Sequence, residues 1–185
     1  MPEASDSGQV TLYRAASFPD RWLPAATLLS GFPGVDPTLC FDQGRWWLFC
    51  TDMERGDCSH LHLFHATDLT GPYTPHANNP VKIDIRGSRP AGPLFRVDDA
   101  WIRPAQNDAV SYGGSITLNR IVSLTPTAFR EELFGELKPD PGGLYRRGLH
   151  TLHGVGTITL VDGKRRRFVP WVFLMRLLTR LRRMF

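Results

Sequence analysis

No apolar run in these 185 residues approaches the ~20 needed to cross a bilayer as a helix. The opening stretch, Met1-Pro-Glu-Ala-Ser-Asp-Ser-Gly8, lacks the basic and apolar regions of a secretory signal and reads as a disordered terminus. Cysteine is scarce. Cys40, Cys50 and Cys58 are odd in number and match no metal-ligand spacing, so the reading is of reduced thiols in a cytoplasmic protein, with no metal and no cofactor. Acidic residues are missing from one region only: between Lys164 and Arg183 there are eight basic residues and no acidic one. The net charge of +4 therefore hides a mildly acidic remainder.

What the chain does have is the composition of one ordinary folded domain, 42% hydrophobic and 22% charged. Its 15 prolines and 17 glycines suit many short strands joined by tight turns better than long helices. Those strands repeat. Leu12-Tyr-Arg-Ala-Ala-Ser-Phe-Pro-Asp-Arg-Trp22 matches Leu63-Phe-His-Ala-Thr-Asp-Leu-Thr-Gly-Pro-Tyr73 at an offset of 51 residues, Leu on Leu, aromatic on aromatic, Ala on Ala, and Trp22 on Tyr73. A weaker third copy runs from Leu118-Asn-Arg-Ile121 through Leu124 to Phe129. Between the copies a hairpin recurs. Asp36-Pro-Thr-Leu-Cys-Phe41 turns at Asp42-Gln43-Gly44 into Trp46-Trp-Leu-Phe49, and Arg89-Pro-Ala-Gly-Pro-Leu-Phe95 turns at Asp98-Asp99 into Trp101-Ile102, 53 residues later.

Alternating elements of this kind give about four short strands per period, which is the signature of a propeller blade. A sandwich could contain such hairpins but would not repeat them in register. The expected fold is all-β, a partial five-bladed β-propeller with about half the blades. It divides into the closing strands of one blade at about 9–31, full blades at about 35–86 and 87–140, and an opening hairpin at about 147–169, the propeller domain as a whole spanning 9–168. Fewer than about four blades leave exposed edges and faces, so a partner chain supplying missing blades, or a homodimer, is expected.

The strings Leu12-Tyr-Arg-Ala15, Val35-Asp-Pro-Thr-Leu39, Gly44-Arg-Trp-Trp-Leu-Phe49, Gly71-Pro72, Asn79-Pro80, Arg89-Pro-Ala-Gly92, Arg103-Pro-Ala-Gln106, Tyr112-Gly113 and Gly148-Leu-His-Thr151 resemble the glycosidase-like propeller domain of the glucosamine inositolphosphorylceramide transferase family. The resemblance extends over about residues 9–168. It implies similarity to five-bladed glycosidases of the arabinanase and xylosidase type, and an association with glycan or glycolipid synthesis. In that family two blades normally precede the Leu-Tyr-Arg-Ala strand, and Val161-Asp-Gly-Lys-Arg165 looks like a family end. The related glycosidases carry three carboxylates on different blades, as base, acid and pKa tuner.

First strands of propeller blades gather about the axis, so the three hairpin openings would bring Asp36, Arg89 and His150 to one pocket. Asp36 is the carboxylate at such a position and would match the tuning residue; equally, Asp-Pro begins many strands because proline disfavours helix before it. Arg89 stands where the resemblance places the acid. A guanidinium cannot protonate a leaving group, but it can hold a phosphate or carboxylate in a fork. Arg103, Gln106 and Asn107, with Tyr112 close behind, could line a sugar pocket; alternatively Arg103 pairs with a neighbouring blade and Gln106 caps a turn. His150 and His153 point to opposite faces of a strand and fit a backbone hydrogen bond better than a metal. Trp46, Trp47 and Phe49 read as packing between blades.

From Pro170 to Phe185 the leucines at 174, 177, 178 and 181 share a helical face, opposite Arg176, Arg180 and Arg183. This is a basic amphipathic helical tail over 169–185, suited to an anionic membrane surface or to covering an exposed blade face. Nucleic acid is not expected, because the basic run has no aromatic-basic surface to match it. The expected function is carbohydrate binding, of a sugar or sugar phosphate, without complete catalytic machinery. The rival is a glycosyl hydrolase or glycosyltransferase completed by another chain, and the third reading is a membrane-peripheral interaction module.

Overall fold

The computed structural model describes residues 5–166. The tail predicted over 169–185 lies outside the described residues. Ser5–Ser7 form one 3-10 turn, and everything ordered after it is strand. The first sheet pairs β1 (Gln9–Ser17) with β2 (Arg21–Ser30). The second contains β3 (Gly34–Asp42), β4 (Arg45–Asp52) and β5 (His60–Ala66), with the short β6 (Thr74–Pro75) and β7 (Lys82–Ile83) pairing opposite ends of β5. The third contains β8 (Phe95–Val97), β9 (Ala100–Asn107), β10 (Ser115–Leu124) and β11 (Phe129–Leu137). The last is the hairpin β12 (Leu152–Val155) and β13 (Ile158–Val161). All strand pairs within these sheets are antiparallel.

The fold is thus all-β, built of several antiparallel sheets, with no α-helix among the described residues. The sheets follow the expected segments of the chain, β3 beginning one residue before 35. No strand pairing among the described residues joins the last sheet to the first, so no closed ring is recorded. Of the three repeated sequence copies, Leu63 lies in β5 and Leu118 in β10, each the third strand in chain order of its sheet, while Leu12 lies in β1 of the two-stranded sheet. Both recurrent hairpins turn where a left-handed backbone is needed. Gln43 and Gly44 take positive φ between β3 and β4, and Asp98 and Asp99 do so between β8 and β9, the geometry of the type I′ turns that match strand twist.

Sheets pack on one another in chain order because strands alternate their side chains between two faces. In β4, Leu48 and Cys50 face Val10, Leu28 and Leu29 of the first sheet, while Trp47 and Phe49 join Leu61 and Leu63 on the side where Trp101 and Phe129 of the third sheet pack. Trp47 and Phe49 are therefore core residues between sheets; Trp46 instead stacks at a tilt on Phe41. A third, smaller core of Ala91, Ile116 and Leu152 joins the third sheet to the last hairpin. Each fully buried leucine or phenylalanine contributes roughly 1.5–3 kcal/mol.

Two side chains finish what the backbone leaves open. Between β6 and β7 the edge of β5 has a gap at Leu63, and Asn79 fills it: its Oδ1 accepts the Leu63 N–H at 2.9 Å and its Nδ2 donates to the Leu63 carbonyl at 2.8 Å. Asp42, beside the β3–β4 turn, accepts the Trp101 indole N–H at 2.9 Å and Arg96 Nη2 at 3.1 Å, tying the second sheet to the third. Burial raises all three thiols: Cys40 to about 12, helped by Asp42, Cys58 to about 11, and Cys50 further still. They remain protonated and unbridged, so none is a ready nucleophile.

Candidate functional site

Asp36 is held in an unusual place. The register of β3 against β4 slips between Val35 and Thr38, and Asp36 takes φ +48 within that bulge. Proline at 37 favours an extended residue before it, so the bulge overrides the local preference. Aspartate tolerates the left-handed region better than most residues, and a bulge re-aims a side chain. Here the carboxylate meets the third sheet: Asp36 Oδ2 accepts Arg89 Nε at 2.7 Å and Gln106 Nε2 at 3.1 Å.

Arg89 and Gln106 are themselves adjacent through backbone pairing. The chain from 89 to 91 runs antiparallel to β9, with Gln106 N donating to the Arg89 carbonyl at 2.8 Å and Ala91 N to that of Pro104 at 3.1 Å. The last hairpin docks on the other side, Leu152 N donating to the Ala91 carbonyl at 2.7 Å. Only glycine fits beside that contact. Gly92 has φ +135, and a Cβ there would overlap the Leu152 carbonyl oxygen.

These three sheets enclose a cleft of about 540 Å³ whose lining includes Asp36, Gln106, Tyr112, His150 and His153. Gln106 is almost wholly buried. Its Nε2 is fixed on Asp36 and on the Pro90 carbonyl, while its Oε1 meets no donor among the described residues. That oxygen is out of reach of the cleft, so the Gln106 amide serves the site by fixing the Asp36 carboxylate through Nε2. Tyr112 is half exposed, with the Arg89 guanidinium 5.1 Å from its ring centroid and the His150 ring edge-on at 5.6 Å. His150 Nδ1 is paired with Asp162 Oδ2, while Asp162 Oδ1 accepts the backbone N–H groups of His150 (2.8 Å) and Thr151 (2.7 Å). That carboxylate fixes the imidazole's orientation and its Nδ1–H tautomer.

Of the residues expected at a common pocket, Asp36, Gln106, Tyr112 and His150 line the cleft, and Arg89 adjoins it through Asp36. The Arg89 guanidinium is engaged within the protein, with Nη1 also 3.5 Å from Asp57 Oδ2 and 3.7 Å from Cys58 Sγ. Its burial would lower its pKa, but the hydrogen bond and charge of Asp36 prevail and raise it, so the cation is permanent. Arg103 and Asn107 lie elsewhere. Arg103 is completely buried, with Nε and Nη2 on the two oxygens of Glu131 at 2.8 and 2.7 Å and further bonds to the Ser88 and Gly87 carbonyls. Asn107 caps the turn after β9, accepting from Ala109 N at 3.2 Å and donating to Glu136 at 3.2 Å. Asp57 and Asp162 were not anticipated. Asp162 lies 12 residues from His150, a contact without local periodicity; the only sequence sign was Asp-Gly following a strand.

Asp36 is the one carboxylate among the residues lining the cleft, and no group of three or more His, Cys, Asp or Glu able to hold a metal occurs among the described residues. The arrangement can accept and donate hydrogen bonds to a polyhydroxy ligand beside an aromatic ring; it does not present the pair of facing carboxylates used in most glycoside hydrolysis.

A family model described as "Glucosamine inositolphosphorylceramide transferase 1, N-terminal" matches residues 1–138. Proteins named glucosamine inositolphosphorylceramide transferase 1 from Oryza sativa subsp. japonica and Arabidopsis thaliana are each 31% identical to the chain over 136 residues. The matched stretch is 71% of this chain but only 18% of each relative's length. No solved structure matches the chain.

Proposed function

The chain belongs to the glucosamine inositolphosphorylceramide transferase 1 N-terminal family, and from that premise we propose that it is a carbohydrate-binding propeller domain serving glycan or glycolipid synthesis, without complete catalytic machinery of its own. Successive sheets stacked face to face, with first strands converging on one cleft, support the propeller reading. The observation that carries the binding reading is the Asp36 carboxylate, 30% exposed to the cleft and fixed by Arg89 and Gln106, set beside Tyr112 and His150. A sugar hydroxyl donates to Asp36, and the Tyr112 ring offers the apolar face sugars commonly stack on. Because Arg89 is already held by Asp36 and Asp57, it acts by orienting the Asp36 carboxylate. Neutral sugar hydroxyls are thus better served here than a sugar phosphate.

Calorimetric titration of the whole chain with a panel of neutral, amino, acidic and phosphorylated monosaccharides tests this. At least one neutral or amino sugar should bind, and Asp36→Asn, which keeps the shape but weakens the acceptor, should lower its affinity about tenfold or more. Absence of binding across the panel, or equal affinity in the variant, would overturn the reading.

A further inference from the structure

Away from this cleft the chain builds a second concave surface, and its charge is of one sign. Gly143, Leu144, Arg146, Arg147, Arg165 and Arg166 enclose a cleft of about 560 Å³. Two segments distant in sequence meet there through their main chains. Arg147 N donates to the Lys164 carbonyl at 3.0 Å, Lys164 N donates to that of Gly148 at 2.9 Å, and Lys164 bridges both Arg146 and Gly148. Gly148 is also pressed by a third segment, since a Cβ on it would overlap the Gly113 carbonyl and crowd Lys164 Cε at 3.0 Å. Backbone pairing, rather than the wandering of long side chains, therefore brings the four arginines together.

Among the described residues five arginines meet acids, Arg86 with Asp84, Arg89 with Asp36, Arg96 with Asp42, Arg103 with Glu131 and Arg130 with Glu132, while Arg14, Arg21, Arg45, Arg55 and Arg120 meet none but line no shared cleft. Arg146, Arg147, Arg165 and Arg166 form no such pair among the described residues. Asp140, the acid in the adjoining loop, is engaged with the Gly142 N–H at 2.9 Å. Arg165 lies over the Tyr145 ring at 5.6 Å, a contact that steadies the guanidinium while leaving its edge donors available. Like charges held together repel, and an anion with several acceptor oxygens relieves that repulsion. A carboxylate accepts one guanidinium fork; a phosphate has oxygens enough for two or more.

We infer that the cleft lined by Arg146, Arg147, Arg165 and Arg166 is a phosphate-binding site, taking a phosphate monoester carried either by a small soluble molecule or by a lipid headgroup. It is a different surface from the Asp36 cleft and stands or falls separately. The test uses the full chain in two arms: calorimetry with inorganic phosphate and glucose 6-phosphate, and co-sedimentation with phosphatidylcholine vesicles with and without phosphatidylinositol 4-phosphate. Arg147→Glu combined with Arg166→Glu should weaken binding about tenfold or more. The charge-matched pair Arg14→Glu and Arg21→Glu, on the first sheet, should leave it unchanged. Arg147→Lys with Arg166→Lys keeps the charge and removes the forks, and should weaken binding several-fold; it carries the test if the glutamate pair does not fold. Binding in the soluble arm assigns a small phosphorylated molecule, and binding to phosphoinositide vesicles alone assigns a headgroup. Binding in neither arm, or an equal loss in the charge-matched pair, overturns the site.

Discussion

Arg103, in the middle of β9, and Arg89, at the head of the chain segment that pairs beside it, are both buried and both joined to a carboxylate, yet their surroundings differ in one respect. Glu131, the partner of Arg103, is 4% exposed and also takes Lys82 Nζ at 2.7 Å from the second sheet. Every charge in that cluster is answered by another protein group. Asp36, the partner of Arg89, is 30% exposed and lines a cleft. An ion pair sealed on all sides ties sheets together; the same pair with one open side becomes a preset electrostatic surface. The difference follows from position: Glu131, on β11, is closed over by Arg103 and by Lys82 of the second sheet, whereas Asp36, in the bulge of β3, lines the cleft.

The largest effect should come from breaking the sealed pair. Arg103→Ala leaves Glu131 buried with Lys82 alone, and unpairing a buried ion costs about 3–5 kcal/mol. Urea denaturation should show a midpoint lowered accordingly, while the folded fraction keeps the wild-type affinity for any sugar bound at the Asp36 cleft. Were Arg103→Ala to bind more weakly at unchanged stability, the two arginines would have exchanged roles and the comparison would fail.

Acid should then separate the two regions in a graded way. Burial would raise Glu131, but the charges of Arg103 and Lys82 prevail and hold its carboxyl below the usual 4.5. A lowered carboxyl stabilises the fold above its unfolded pKa, and that contribution fades as pH falls toward the folded value. His62, His65 and His76 are lowered below the usual 6.5, first of all by burial. The unfolded chain takes up those protons first, so stability also falls as pH drops below about 6.5. Thermal melts should show Tm falling first between pH 7 and 5 and again below about 4.5. In Arg103→Ala the lower step should shrink, because the cation that most depresses Glu131 is gone; an unaltered lower step would mean that other carboxylates govern it.

Much of the fold was legible because it rests on repetition. The 51-residue offset marked two strands, β1 and β5, the 53-residue offset matched the hairpins β3–β4 and β8–β9, and their turns fell where Gln43-Gly44 and Asp98-Asp99 were read. Asp36 and His150 were read from where hairpins open, and Gln106 and Tyr112 from the polar and aromatic residues that follow the second strand of their sheet; Arg89, read with the first pair, adjoins the cleft through Asp36. What could not be read was which face of a strand a polar residue takes near a bulge. Arg103 and Gln106 are three apart on β9, so their side chains leave opposite faces, one toward Glu131 and one toward Asp36. The bulge at Asp36 reverses an extended preference set by proline, and Asp57 and Asp162 reach the site through loop geometry with no periodic signal.

The smallest effect separates a positioning contact from a structural one. Asp162→Asn keeps the oxygen that accepts the His150 and Thr151 backbone N–H groups but replaces the oxygen facing His150 Nδ1 with a donor. The imidazole must then change tautomer or turn, altering what it offers to the cleft. One neutral hydrogen bond is worth about 0.5–1.5 kcal/mol, so sugar affinity should fall roughly threefold to tenfold at nearly constant Tm. His150→Gln should lose a similar amount, and the double variant little more than either single, because the two residues act as one unit. If Asp162→Asn instead lowered Tm and left affinity unchanged, this pair would belong with Arg103 and Glu131 as sealed framework, and the open side of the cleft would rest on Asp36 and Gln106 alone.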